Sequence, residues 1–113
     1  MITNTIQELF DRKSVRVFTD QEILPEEKEL ILKAAAAAPT AGNQQLYTIL
    51  DITDQELKDK LAETCDHQPF IAKAKMVLIF CADYQKWYDA FQAVDCESRK
   101  PGPGDLMLAC SDA

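Results

Sequence analysis

The stretch Met76-Val77-Leu78-Ile79-Phe80-Cys81-Ala82 is the most apolar run in the chain, and charged residues bound it on both sides. A short apolar run without polar interruptions is typical of a strand that is buried on both faces. A second strand is predicted over residues 46–52, which read Leu46-Tyr47-Thr48-Ile49-Leu50-Asp51-Ile52. The chain is therefore predicted to have a buried central strand at residues 76–82.

Helices are predicted around these strands, because apolar residues recur at spacings of three and four. The residues predicted to face inward are Ile6, Leu9 and Phe10; Leu30, Ile31, Ala34, Ala35 and Ala38; Leu57, Leu61 and Cys65; and Tyr84, Trp87, Tyr88, Phe91 and Val94. The aromatic stripe of the last set favours a place in the core over a ligand pocket. A linker follows at residues 97–105, and a last apolar helix is predicted from Leu106.

The sequence contains signals for the N-terminal ends of three helices. Thr5 with Glu8, and Thr53 with Glu56, have the spacing of a capping box. Pro25 has the place of a first-turn proline and precedes several glutamates, which favour the positive end of a helix. These signals predict helices that begin at or just after these residues.

Composition limits the classes of function. The chain has 113 residues, 47% of them hydrophobic, which corresponds to one globular domain. Its net charge of −7 argues against nucleic acid and anionic membranes as partners, since both require a positive face. No apolar run approaches the roughly 20 residues that span a bilayer, and the N-terminus lacks a signal-peptide pattern. These features predict a cytoplasmic protein.

The four cysteines, Cys65, Cys81, Cys96 and Cys110, are widely spaced, and His67 is the only histidine. A zinc site requires ligands at hairpin or knuckle spacing, and this sequence has none. All four cysteines are therefore predicted to be reduced thiols, with neither a metal site nor a catalytic cysteine.

The segment Arg12-Lys13-Ser14-Val15-Arg16-Val17-Phe18 places three cations and a hydroxyl within five residues. Periodic apolar segments flank it, so the cluster lies at a junction where several donors can converge on one anion. Arginine forms two-pronged bonds to phosphate, and lysine acts as a mobile point charge. Two interpretations stay open at this point, a phosphate-binding junction and a solvated basic turn.

Three separated segments carry a family resemblance: Arg12-Lys13-Ser14-x-Arg16-x-Phe18, Ala38-Pro39-Thr40-x-Gly42-Asn43-x-Gln45, and His67-Gln68-Pro69 ahead of the strand. In this order and spacing they resemble the N-terminal half of the FMN-dependent nitroreductase family, which includes flavin reductases of the NADPH-dependent oxidoreductase type. The resemblance implies an α+β, nitroreductase-like fold with a mixed sheet flanked by helices, in a homodimer. It also implies that residues 1–113 are the N-terminal portion of a single domain, because family members continue well past this length.

The resemblance implies a cofactor-binding role for Arg12, Lys13, Ser14, Arg16, Thr40, Asn43, Gln45 and Gln68. The first four would hold the FMN phosphate. The next three lie in a loop that resembles the family's segment along the flavin ring, partly that of the other subunit. Gln68 matches an amide at the flavin pyrimidine edge, where it can both donate and accept. For Asn43, an ordinary loop residue bonded to its own backbone is an equally good interpretation.

The function implied by the resemblance is an FMN-dependent NAD(P)H oxidoreductase that reduces nitroaromatics, quinones or flavins by ping-pong hydride transfer. FMN is the implied cofactor, NAD(P)H the reductant, and a small-molecule electron acceptor the second substrate. No catalytic side chain is expected in this part of the family's sequence, since the flavin carries the chemistry. The alternative is a catalytically silent fragment or interaction domain that keeps the fold without binding FMN.

Overall fold

The structure is a computed structural model that describes residues 3–113, so Met1 and Ile2, where the predicted domain begins, lie outside the described residues. Its elements are α1 (Asn4–Asp11), α2 (Pro25–Ala36), a 3-10 turn (Ala41–Asn43), β1 (Tyr47–Asp51), α3 (Gln55–Thr64), α4 (Phe70–Lys73), β2 (Leu78–Ala82), α5 (Gln85–Ala93) and α6 (Pro103–Asp112). Helices and a small sheet confirm the predicted α+β class. None of the described helices is both long and apolar enough to cross a membrane.

The two predicted strands pair with each other. β1 and β2 run antiparallel, with Tyr47 opposite Ala82 and Asp51 opposite Leu78. They form a two-stranded sheet, so within residues 3–113 the expected mixed sheet is represented by one antiparallel pair. The prediction of a buried central strand is wrong within this range, and Phe80 is 45% exposed. Each strand of a two-stranded sheet has one free edge, which leaves part of its surface open.

Helix α6 covers the sheet and contacts both strands. Ala109 is 0% exposed at this contact. The Asp112 carboxylate accepts a hydrogen bond from the Leu46 N–H at 3.1 Å, just ahead of β1. The helix begins three residues before the predicted start at Leu106, because Pro103 occupies its first turn and the Gly102 N–H donates to the Asp105 carboxylate at 2.7 Å.

Helix α3 buries a different face from the predicted one. Leu57, Leu61 and Cys65 were expected to face inward, but the buried residues of α3 are Lys58 and Ala62. The reason is that α3 packs against α4. The face in this contact contains Lys58 and Ala62, each one residue after the predicted Leu57 and Leu61. Lys58 places its aliphatic stem in this contact and donates from Nζ to the Ala74 carbonyl at 3.2 Å.

The helix caps differ from the predicted capping boxes by one or two residues. Thr3, not Thr5, caps α1 and accepts from the Ile6 N–H at 3.4 Å. Asp54, not Thr53, caps α3. Both segments contain two adjacent or nearly adjacent residues that can cap a helix, so the spacing alone does not choose between them. Pro25 begins α2 as predicted.

The apolar stripes of α1 and α2 are exposed, which contradicts their predicted burial. Phe10 in α1 is 75% exposed and Leu30 in α2 is 68% exposed. The physical reason is that no other described helix or strand packs extensively on either helix. These faces are amphipathic without a partner within residues 3–113.

The contact between α6 and the sheet can be tested at Ala109. Because its side chain is completely buried, Ala109→Leu in the complete protein should lower the free energy of unfolding by about 1–3 kcal/mol through overpacking. Ala90→Leu is the matched control, since Ala90 is an exposed residue of α5 and should change stability by about 0.5 kcal/mol or less. Urea denaturation measures both, and equal effects would contradict the packing described for Ala109.

Candidate functional site

The basic segment, residues 12–18, runs from the end of α1 without regular secondary structure. Arg12 caps α1 through its N–H, which donates to the Glu8 carbonyl at 3.0 Å. Within residues 3–113, no backbone–backbone hydrogen bond involves residues 13–23. The path of this part of the chain therefore depends on side-chain contacts.

Aromatic and ionic side-chain contacts join this part of the chain to α4 and the residues just after it. The Arg16 guanidinium carbon lies 5.7 Å from the centre of the Phe70 ring. Phe18 packs edge-on against the same ring, with 6.3 Å between centroids and an interplanar angle of 61°. Further along, Lys75 Nζ donates a hydrogen bond to the Glu22 carboxylate at 2.5 Å, and this bond raises the pKa of Lys75.

In the part of the chain that the structure describes, the cations of the basic segment have no acidic partner. Within residues 3–113, the side chains of Arg12, Lys13, Ser14 and Arg16 are exposed and make no hydrogen bond or ion pair. Acidic residues outnumber basic ones by 19 to 12 in this protein, so unpaired cations at one junction are a notable feature of its charge distribution. Their donors are available to an anion.

Gln68 lies two residues before Phe70 and is half-buried. Its side-chain Nε2 donates to the Cys65 carbonyl at 2.9 Å, and its backbone N–H donates to the Ala62 carbonyl at 2.7 Å. An amide has two N–H groups and one carbonyl, so one N–H and the carbonyl remain for a ligand. Gln68 therefore lies just before α4, the short helix whose Phe70 contacts Arg16.

The loop of residues 39–45 has an unusual backbone. Gly42, Asn43 and Gln45 all have positive φ, at 59°, 53° and 50°. Two of these are not glycine, and such backbone costs of order 1 kcal/mol or more per residue unless the surroundings hold it. Thr40 supplies that hold, because its Oγ1 accepts from the Gln45 N–H at 3.1 Å and its carbonyl accepts from the Asn43 N–H.

A cavity of about 460 Å³ adjoins this loop. Its lining comes from the loop, from α5 and from the segment that leads into α6: Gly42, Asn43, Gln44, Leu46, Tyr84, Trp87, Tyr88, Phe91, Ser98, Arg99, Pro101 and Asp105. The Trp87 indole N–H donates to the Gln44 carbonyl at 2.7 Å and so ties α5 to the loop. The aromatic stripe was predicted to lie in the core; instead Trp87 and Phe91 are each 43% exposed and line this cavity.

Polar contacts at the end of the sheet hold α5 in place. Lys86 Nζ donates to the Tyr47 carbonyl at 2.6 Å and lies 5.5 Å from the centre of the Tyr47 ring. The Thr48 hydroxyl donates to the Asp83 carboxylate at 2.5 Å. This bond, together with the Lys86 N–H, lowers the pKa of Asp83. The aromatic face of α5 is therefore fixed relative to β1.

An ion pair borders the cavity where the linker enters α6. The Arg99 guanidinium makes a two-pronged contact with the Asp105 carboxylate, with both N–O distances at 2.7 Å. This contact, with the Gly102 N–H, lowers the pKa of Asp105 to about 2. This pair was not predicted from the sequence, where its signal is the opposite charges that flank Pro101-Gly102-Pro103-Gly104.

The predicted site residues fall into two groups in the structure. Arg16 contacts Phe70 of α4, and Gln68 lies two residues before Phe70. Thr40, Asn43 and Gln45 lie in the loop beside the cavity, and of the eight residues only Asn43 lines that cavity. No hydrogen bond joins the two groups within residues 3–113. In the same range, no three histidine, cysteine, aspartate or glutamate side chains lie together as in a metal site. The binding roles of the eight residues stay predictions.

Comparison with known proteins gives one family. The model of the nitroreductase family matches residues 9–103. Over 85 residues the chain is 34% identical to the FMN reductase [NAD(P)H] of Bacillus subtilis (strain 168), covering 75% of this chain and 34% of that protein. It is 33% identical to the NADPH-flavin oxidoreductase of Vibrio harveyi, with 75% and 35% covered. The chain thus spans about a third of the length of these relatives.

Solved structures agree in fold. The NfrA1 nitroreductase from B. subtilis superposes with a TM-score of 0.91 and 29% identity, covering 97% of this chain and 45% of that chain. The NADPH:FMN oxidoreductase from Vibrio harveyi, complexed with NAD+, gives a TM-score of 0.87 and 26% identity, with 97% and 46% covered. The similarity therefore extends over nearly all of this chain.

The ion pair beside the cavity predicts a specific acid titration. Because Arg99 and Gly102 hold the carboxylate form, Asp105 should titrate near pH 2 in the native protein instead of near its ordinary value of 3.8. The lowered pKa means that its contribution to stability is present above pH 3.8 and is lost as the pH falls towards 2. NMR titration of the side-chain carboxyl carbon measures this value.

Two variants make the cause testable. Arg99→Gln should return the pKa of Asp105 most of the way to its ordinary value, since it removes the largest cause of the shift. Lys100→Gln removes the neighbouring cation and should leave the titration of Asp105 unchanged. If Asp105 has the same pKa in the wild-type protein and in Arg99→Gln, this ion pair is not the cause of the shift.

Proposed function

The chain belongs to the nitroreductase family, and on that premise we propose that the protein is an FMN-dependent NAD(P)H oxidoreductase that reduces nitroaromatics, quinones or flavins. The observation that carries the proposal is the basic segment, whose cations have no acidic partner within residues 3–113 and whose Arg16 lies against Phe70, two residues after Gln68. The names of its relatives support the flavin and the nicotinamide nucleotide as the molecules involved.

The donors of the basic segment fit the phosphate group of FMN. A phosphate carries up to two negative charges and accepts hydrogen bonds at three oxygens, which cations and short hydroxyl donors can satisfy from a turn. Arg12, Ser14 and Arg16 would bind these oxygens, and Lys13 would add a positive charge. Since no carboxylate of the described chain competes for them, binding the phosphate would not require an existing ion pair to break.

The remaining predicted residues fit the polar edge of the flavin ring. Gln68 retains one N–H and its carbonyl after bonding to Cys65, a combination that suits alternating N–H and C=O groups. The Thr40 hydroxyl accepts from Gln45 but keeps its own hydrogen to donate. Asn43 has an exposed side chain on a left-handed backbone that the loop holds in place. These groups would orient the ring.

When bound, FMN supplies the electron-transfer chemistry, and the reductant NAD(P)H and the electron acceptor are its two substrates. The side chains of this chain have other tasks. Arg12, Ser14 and Arg16 would hold one end of the cofactor, and Gln68 would fix the rotation of its ring. No side chain named here needs to exchange a proton for this role, because binding and orientation are sufficient.

The proposal extends to a homodimer in the cytoplasm. Large apolar side chains remain exposed on five of the described helices, among them Phe10 of α1, Leu30 of α2 and Met107 of α6, and surfaces of this kind favour association. All four cysteines are free thiols, which is typical of proteins in reducing compartments.

Replacing Arg16 by Ala in the complete protein should weaken FMN binding far more than replacing Lys13 by Ala. A lost guanidinium leaves phosphate oxygens without their two-pronged donor, whereas water can partly replace a point charge. One or two charge-assisted hydrogen bonds of about 1.5–3 kcal/mol each predict an increase in Kd of at least about tenfold for Arg16→Ala. Titration of apo-protein with FMN, followed by flavin fluorescence, gives both constants.

The same titration separates the proposal from its alternative. Equal and small effects of the two substitutions would remove the phosphate role of the basic segment. Wild-type protein that stays colourless after addition of FMN would support a catalytically silent interaction domain, because such a domain keeps the fold without the cofactor.

Steady-state kinetics test the order of the proposed reaction. If reductant and acceptor use the same site in turn, double-reciprocal plots of rate against NAD(P)H at several fixed acceptor concentrations should be parallel. Intersecting lines would instead indicate a ternary complex with a separate acceptor pocket.

A further inference from the structure

Phe70, the first residue of α4, contacts two side chains of the basic segment. Its half-buried ring contacts both Arg16 and Phe18, at 5.7 Å from the Arg16 guanidinium carbon and 6.3 Å from the centre of the Phe18 ring. These two contacts are two residues apart, the spacing at which an extended chain returns to the same face. The side chains of Arg16 and Phe18 therefore share one platform.

That platform is anchored from several directions. The Lys58 ammonium donates to the Ala74 carbonyl at 3.2 Å, and the Gln55 side chain donates to the Ala72 carbonyl at 3.0 Å. The backbone N–H of Gln68 donates to the Ala62 carbonyl at 2.7 Å. α4 is thus tied to α3 before, within and after its single turn, whereas residues 13–23 have no backbone hydrogen bond within the described chain.

From this contrast we infer that Phe70 is a positioning residue that holds the Arg16 guanidinium in place for the phosphate of the cofactor. The inference rests on the proposed function, because it assigns a purpose to Arg16 there. A guanidinium within about 6 Å of a ring centre is attracted by the π face. The attraction to the ring uses no N–H of the guanidinium in a hydrogen bond within residues 3–113, so these donors stay available for phosphate oxygens.

The physical gain is preorganisation. Arginine has a long side chain that loses rotamer freedom when it binds a ligand, and that loss weakens binding. Arg16 has no ion pair or hydrogen bond within residues 3–113, so the Phe70 ring is the contact that restricts it. Phe18, packed edge-on against the same ring, limits the path of the segment on the other side of Val17.

The test compares FMN with riboflavin, which has the same ring system without the phosphate. The complete protein is prepared without cofactor and titrated with each ligand, and the ratio of the two dissociation constants measures the phosphate contribution. Phe70→Leu removes the π face, and should reduce the preference for FMN by about 3- to 10-fold. Phe70→Tyr keeps the π face and should retain the wild-type ratio.

A double-mutant cycle shows whether Phe70 acts through Arg16. In the Arg16→Ala background, Phe70→Leu should have no further effect on the FMN-to-riboflavin ratio, because the group that it positions is absent. A merely structural role for Phe70 would weaken both ligands alike and would leave the ratio unchanged. Thermal unfolding of each variant identifies any general loss of structure.

A measurement on the unmutated protein covers the case in which Phe70→Leu does not fold. The Arg16 side-chain protons should show an upfield ring-current shift in the NMR spectrum, with the assignment made from the Arg16→Lys variant. Arg16 signals at random-coil positions would overturn the inference, as would a wild-type ratio in a folded Phe70→Leu variant.

The outcomes separate the inference from the proposed function. Wild-type protein that binds neither ligand, or binds both equally, would overturn the proposed phosphate site and the inference with it. If the wild-type protein prefers FMN, and Arg16→Ala abolishes this preference but Phe70→Leu leaves it intact, the inference is overturned and the proposed function is not. Loss of the preference in both variants, with rescue by Phe70→Tyr, would support it.

Discussion

The close contact between α6 and the two-stranded sheet is the constraint on which most of the structure depends. A two-stranded sheet is marginally stable by itself and needs a partner on one face. Ala109 provides that contact, because its small side chain lets α6 approach the strands and leaves it with no exposed surface. The bond from Leu46 to Asp112 then fixes where β1 begins. Since α5 follows β2 and the linker leads into α6, the cavity between them depends on the same contact.

A second support, the pairing of α3 with α4, determines the environment of the candidate cofactor site. It depends on Lys58, whose aliphatic stem is buried while its ammonium donates a hydrogen bond to the Ala74 carbonyl. A buried lysine without a polar partner would be destabilising, and the carbonyl supplies that partner. Phe70 is the first residue of the helix held in this way, and Gln68 lies two residues before it. This helix therefore brings together residues that are more than 50 positions apart in the sequence.

The distribution of charged residues distinguishes the basic segment from the rest of the described chain. The protein is acidic overall, with a net charge of −7, and several of its cations elsewhere are paired, as in Lys28 with Asp51 and Arg99 with Asp105. The basic segment departs from this pattern, since its cations are unpaired within residues 3–113. Unpaired donors on a segment held by aromatic contacts suit a ligand that brings its own negative charge. The cavity beside α5 is different in kind, because its ion pair is already satisfied and its walls are aromatic.

The sequence by itself determined the kinds of element and the residues that punctuate them. Apolar runs identified both strands, Pro25 marked the start of α2, and the ordered motifs identified the family, because these signals are local or lie in fixed order along the chain. Tertiary structure decided which faces are buried: α3 turns Lys58 and Ala62 inward, and the aromatic residues of α5 line a cavity. It also decided that Arg16 lies on Phe70. Periodicity shows that a helix has an apolar face, but burial and contact depend on which element packs against it, and distant partners leave no spacing signal in the sequence.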